Sequence, residues 1–130
     1  MNEYTALKEA SMRHKENNDC TVKAYAIVTG CSYEDAHWEM MKVGRRNRKG
    51  LLSDYPDYNN KMIEALRRKG FTVERVKCNS KTVRTLGRNI KSNGRFLVFV
   101  RGHVLAIKDK QVMDWTNGRC HRIKSVWRVK

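Results

Sequence analysis

The feature that most constrains this chain is the decade from Cys20 to Gly30, an apolar run in which Lys23 is the only charge. A helix so poor in charge must be covered on most sides, so it predicts a central helix around which other elements pack. The polar run Asn17-Asn18-Asp19 precedes it and Gly30 closes it. Asp19 or Asn18 is expected to accept hydrogen bonds from the first backbone N–H groups, and Gly30 to take the left-handed conformation that ends a helix. Cys20 then stands at the helix N-terminus, where the partial positive charge of the backbone favours thiolate over thiol.

Around that helix the chain reads as one domain over residues 1–130. Residues 2–16 carry Tyr4, Leu7 and Met12 among charges, which predicts a short, loosely packed N-terminal helix. Ser32 with Asp35 three residues on predicts the start of a second core helix running to about Val43, with His37 beside its apolar face as a packing or surface residue. Gly44 to Pro56 holds two glycines, a basic cluster and the only proline, and reads as a loop. Asn59–Lys69 predicts a third helix, Phe71–Val76 a strand, and Ser80–Lys91 a short helix.

From Arg95 the character changes. Runs at 96–100, 103–107, 111–115 and 119–129 are rich in β-branched and aromatic residues and separated by short gaps, which predicts an antiparallel meander. Helices first and a sheet last make an α+β fold, with N-terminal helices packed on a C-terminal antiparallel β-sheet.

The hairpin after His103 allows a register prediction. With Asp109-Lys110 as a two-residue turn, Lys108 faces Gln111, Leu105 faces Asp114 and His103 faces Thr116. His103 and Asp114 become diagonal neighbours on one face, their backbones roughly 7–8 Å apart across the strands. A nucleophilic thiol needs a base within hydrogen-bond reach and a third group that orients the base. Cys20, His103 and Asp114 supply those parts in that chain order. The Cys20 backbone N–H, with the amide of Asn17 or Asn18, is the expected donor set for an oxyanion.

The block "NDCTVKAYAIVTG", followed some eighty residues later by "RGHVLAIKDKQVMDW", resembles the papain-like cysteine peptidase superfamily, in particular small papain-fold proteins of phages and bacteria. Its Asp-then-Cys opening is also similar to that of ovarian-tumour-type deubiquitinases. The resemblance covers roughly residues 17–43 and 94–116. It implies a papain-like fold and a cysteine hydrolase of peptidase, amidase or deconjugating type acting on a protein or peptide. In that likeness Cys20 matches the nucleophile, His103 the general base and Asp114 the orienting acid. Where papain relatives carry a glutamine before the cysteine, this chain has His14.

Composition adds a second expectation. The 28 Lys and Arg against 13 Asp and Glu leave a net charge of +15, a field that attracts polyanions. Arg45, Arg46, Arg48 and Lys49 form the densest cluster and are the candidate polyanion contacts. The alternative reading is thus a catalytically silent papain-like module that binds nucleic acid or an acidic partner. The four cysteines lack paired spacing, and Cys78 with Cys120-His121 lacks the spacing of a zinc site, so neither a metal nor another cofactor is expected. The apolar runs are too short to cross a membrane, and the first residues lack a secretory pattern, which predicts a cytoplasmic protein, in the host cytoplasm if a phage encodes it.

Overall fold

The structure, a computed structural model, describes residues 3–48 and 55–130, the side chains of 55–60 excepted. Its helices are α1 (Glu3–Arg13), α2 (Cys20–Thr29), α3 (Tyr33–Lys42), α4 (Tyr55–Arg68) and α5 (Val83–Asn89). Its strands are β1 (Val73–Val76), β2 (Arg95–Val100), β3 (His103–Lys108), β4 (Gln111–Met113) and β5 (Ile123–Val129). All pairings are antiparallel, and the strand order is β1-β5-β2-β3-β4. The α+β class and the packing of N-terminal helices on the sheet are as expected.

The central helix behaves as its composition requires. Val22, Ala24, Tyr25, Ala26, Ile27 and Val28 are all buried. Gly30 ends α2 at φ 78°, where its N–H bonds to the Ala26 carbonyl. That left-handed turn is cheap only without a Cβ. Tyr33, Ala36 and Met40 of α3 share its core cluster, as do Met62, Ile63 and Leu66 of α4 and, on the facing side of the sheet, Leu97, Phe99, Val104 and Ala106. The opposite face of the sheet carries a second cluster in which Val83 and Leu86 of α5 cover Val98, Leu105 and Ile107. Coverage on both faces explains why β2 and β3 are uninterrupted apolar runs.

Three expectations need correction. The N-terminal helix is not loosely packed, because Tyr4, Leu7, Ala10 and Ser11 are buried and Lys108 of β3 pairs with Glu3 at its start. The meander holds only through β4: the chain turns at residues 114–118, and β5 returns to the other side of β2, between β2 and β1. Backbone bonds from Val83 N–H to His121, Arg84 N–H to Arg119 and Ile123 N–H to Lys81 hold that return against the start of α5. Finally, α4 begins at Tyr55 rather than Asn59, with Pro56 in its first turn, where a missing N–H costs no helical bond. Of the expected 44–56 loop, residues 49–54 lie outside the described residues. Among the described residues no helix is long and apolar enough to cross a membrane.

Candidate active site

The hairpin places the imidazole. Asp109 and Lys110 both have positive φ, 49° and 72°, the pattern of a type I′ turn whose twist matches the strands it joins. Lys108 pairs with Gln111 in the expected register. The ladder stops at Ala106 opposite Met113, so the expected cross-strand pairs 105–114 and 103–116 do not form. Asp114 lies one residue past the last pair, and its carboxylate nevertheless reaches back to the ring: His103 Nε2 and Asp114 Oδ2 are 2.8 Å apart. The same oxygen accepts the Thr116 backbone N–H at 3.1 Å and the Thr116 hydroxyl at 2.7 Å. Thr116 is fully buried. Rather than pairing across the strands with His103, it fixes the carboxylate that fixes the ring.

Cys20 is the first residue of α2 and lies against His103, which it hydrogen-bonds through the side chain. Nε2 is occupied by Asp114, so Nδ1 is the ring nitrogen left for the sulfur. Burial alone would lower the His103 pKa; the Asp114 hydrogen bond, then the Cys20 interaction, outweigh it and raise the value to about 9. At neutral pH the ring therefore carries a proton and a positive charge beside the sulfur. Cys20, His103 and Asp114 line one cleft of about 340 Å³ with Tyr4, Asn18, Asp19, Lys23, Gly102 and Trp115.

Asp19 is the residue whose charge most threatens a thiolate, and the fold removes the threat. It does not cap α2 through its side chain, contrary to the expectation. Its Oδ2 accepts the hydroxyls of Ser11 and Tyr33, each at 2.6 Å, while Oδ1 pairs with Lys23 Nζ at 3.0 Å. Burial would raise its pKa, but these three donors win and hold the carboxyl below its usual value. The charge is thus anchored on the α1 and α3 side, matched by Lys23.

The two asparagines expected as oxyanion donors are differently used. Asn17 does not line the cleft, and its carbonyl accepts Arg45 Nη2 at 3.1 Å. Asn18 does line it, but its amide nitrogen donates to the Arg48 carbonyl at 3.2 Å and to Asn17 Oδ1 at 3.3 Å, which engages both of its N–H groups. His14 is exposed and stacks on Tyr33 at 5.5 Å, outside the cleft. Tyr4 is the site residue that the sequence reading missed. Its position three residues before Leu7 and six before Ala10 marked an apolar stripe, yet only the docking of α1 brings it to Cys20.

The basic cluster also divides. Arg45 is no surface contact: its side chain is fully buried, paired with Glu16 Oε1 at 3.2 Å and with Nη1 3.3 Å from His37 Nδ1. Arg46 and Arg48 are exposed, Arg48 with its Nε donating to the Lys15 carbonyl, and Lys49 lies outside the described residues. Among the described residues no group of three or more His, Cys, Asp or Glu side chains converges in a way that holds a metal ion. Compared with known proteins, the chain matches no family model, no curated protein and no solved structure.

Proposed function

We propose that this chain is a papain-like thiol hydrolase acting on an amide, isopeptide or related acyl bond of a protein or peptide. The observation that carries this reading is His103 held between Cys20 at a helix tip and the doubly anchored Asp114. The thiol proton resides on His103, and the sulfur attacks the carbonyl carbon, forming a C–S bond as the carbonyl π pair moves onto oxygen. Backbone N–H groups in the first turn of α2 face that developing charge. Collapse breaks the bond to the leaving amine, which takes the proton from His103 and leaves an acyl thioester. Water then attacks the thioester, giving its proton to His103, and expulsion of the sulfur releases the acid. Asp114 steadies the imidazolium throughout.

The test is alkylation with iodoacetamide near pH 7, followed by peptide mapping. Cys20 should react well ahead of exposed Cys120, and His103→Ala should remove that advantage. Equal rates at Cys20 and Cys120 refute the nucleophile.

A second reading, a silent basic module docking on nucleic acid or an acidic partner, is favoured by the net charge of +15. Without Arg45, its contacts reduce to exposed residues such as Arg46 and Arg48. Duplex or single-strand binding that weakens steeply with salt and survives Cys20→Ala supports it; no binding at low salt refutes it.

A further inference from the structure

We propose that the Tyr4 hydroxyl is an oxyanion donor of this site, completing from α1 the set begun by the backbone at the tip of α2. Tyr4 is 9 % exposed and lines the cleft together with Cys20, His103 and Trp115. The Trp115 backbone N–H is the one neighbour that favours the phenolate, and it is outweighed. A phenol hydroxyl has a proton of its own to give. Burial first, and then the nearby Asp114 charge, push the Tyr4 pKa up to about 12, so the group remains a donor throughout the neutral range.

Several other side-chain donors at or near the cleft are engaged elsewhere. The Asn18 amide is spent on Arg48 and Asn17. Tyr33 and Lys23 bond to Asp19, and the Thr116 hydroxyl bonds to Asp114. The position at which the papain-like resemblance puts a glutamine holds His14, which faces Tyr33 instead. Tyr4 is also held in place: Leu7 and Ala10 bury the same helix, Ser11 ties it to Asp19, and Glu3 ties it to Lys108. A donor fixed before the reaction costs no reorganisation when charge develops, which is what an oxyanion site requires.

This inference rests on the thiol nucleophile proposed above, and two probes separate them. Iodoacetamide alkylates by displacing iodide, with no carbonyl oxyanion at the carbon attacked. p-Nitrophenyl acetate acylates the sulfur through a tetrahedral oxyanion and releases p-nitrophenolate. Tyr4→Phe should keep the alkylation rate of Cys20 and slow the p-nitrophenolate burst on the order of 100-fold, with Cys20→Ala as the background. An unchanged burst overturns the role of Tyr4 and leaves the thiol reading standing. Loss of alkylation and burst together also overturns it, because Tyr4 then acts by packing alone. A wild-type protein that alkylates rapidly but gives no burst overturns it as well. Slow alkylation in the wild type removes the nucleophile itself.

Discussion

Replacing Asp114 by Asn tests the centre of the site. Against burial, which lowers it, Asp114 and Cys20 push the His103 pKa up to about 9 in the fold from 6.5 for the free side chain. A gap of about 2.5 pH units at 1.36 kcal/mol each makes roughly 3 kcal/mol of preference for the charged ring. Because the folded value is raised, the corresponding stability is fully present below pH 6.5 and is lost as pH rises through 9. Asparagine keeps the shape of the side chain but removes its charge, leaving burial, which lowers the pKa, opposed by Cys20 alone. The His103 midpoint should then fall by roughly one to two pH units. Two-dimensional NMR of the imidazole Cε1–H signals across pH 5–10 reads it directly, with His103→Gln assigning the peak among the four histidines. Alkylation of Cys20 at pH 7 should slow, by at most about tenfold per pH unit lost, since the imidazolium that balances the thiolate is less stable. A midpoint that stays near 9 in Asp114→Asn refutes the role of the carboxylate. A wild-type midpoint near 6.5 refutes the whole electrostatic account.

Other perturbations probe the frame. Glu16→Ala leaves the fully buried Arg45 guanidinium without its carboxylate and should cost about 3–5 kcal/mol in urea unfolding; a loss under about 1 kcal/mol would show that water reaches the arginine. Lys110→Gly relieves a left-handed residue in the β3–β4 turn and should stabilise the fold by about 1 kcal/mol, read as a higher denaturation midpoint, with any destabilisation counting against the type I′ assignment. Thr116→Val removes the hydroxyl from Asp114 and should cost about 1–3 kcal/mol in denaturant while lowering the His103 midpoint, an effect a mere packing defect would not produce. Cys31 should alkylate slowly in every variant, because burial pushes its thiol pKa up.

What could be read from sequence was what depends on near neighbours. The burial of α2 follows from the scarcity of charge between Cys20 and Gly30, and the Ser32 cap is observed, its hydroxyl accepting the Asp35 N–H at 3.1 Å. Counting back through the two-residue turn places Lys108 opposite Gln111, as observed, but the pairs 105–114 and 103–116 counted from it do not form. Long-range choices were not legible. Alternating residues in 119–129 specify a strand but not which edge it joins, and that edge is chosen by the contacts of residues 119–123 with 81–84. Arg45 looked like part of a solvated run because its partner, Glu16, lies 29 residues earlier. Tyr4 looked peripheral because the bond that docks its helix, Ser11 to Asp19, joins two polar residues that no hydrophobic pattern connects.

Those two buried polar networks bear on the nucleophile through the segment between α1 and α2. Lys15 and Asn18 both sit at positive φ, 53° and 51°, without being glycine, a strain of about 1–2 kcal/mol at a residue ill-suited to that region. Such a conformation persists only where its surroundings over-determine it. Here Arg45 grips Glu16 and the Asn17 carbonyl from one side, Arg48 holds the Lys15 carbonyl and the Glu16 carboxylate, and Ser11, Tyr33 and Lys23 grip Asp19 from the other. The segment enters α2 along a fixed path, so the backbone at Cys20 points where the helix tip needs it. Burying Arg45, Glu16 and Asp19 is expensive in isolation and intelligible as the cost of that path. The basic residues that follow α3 thus do two different things: Arg45 shapes the approach to the cysteine from inside, while exposed Arg46 is left to meet whatever the net charge attracts.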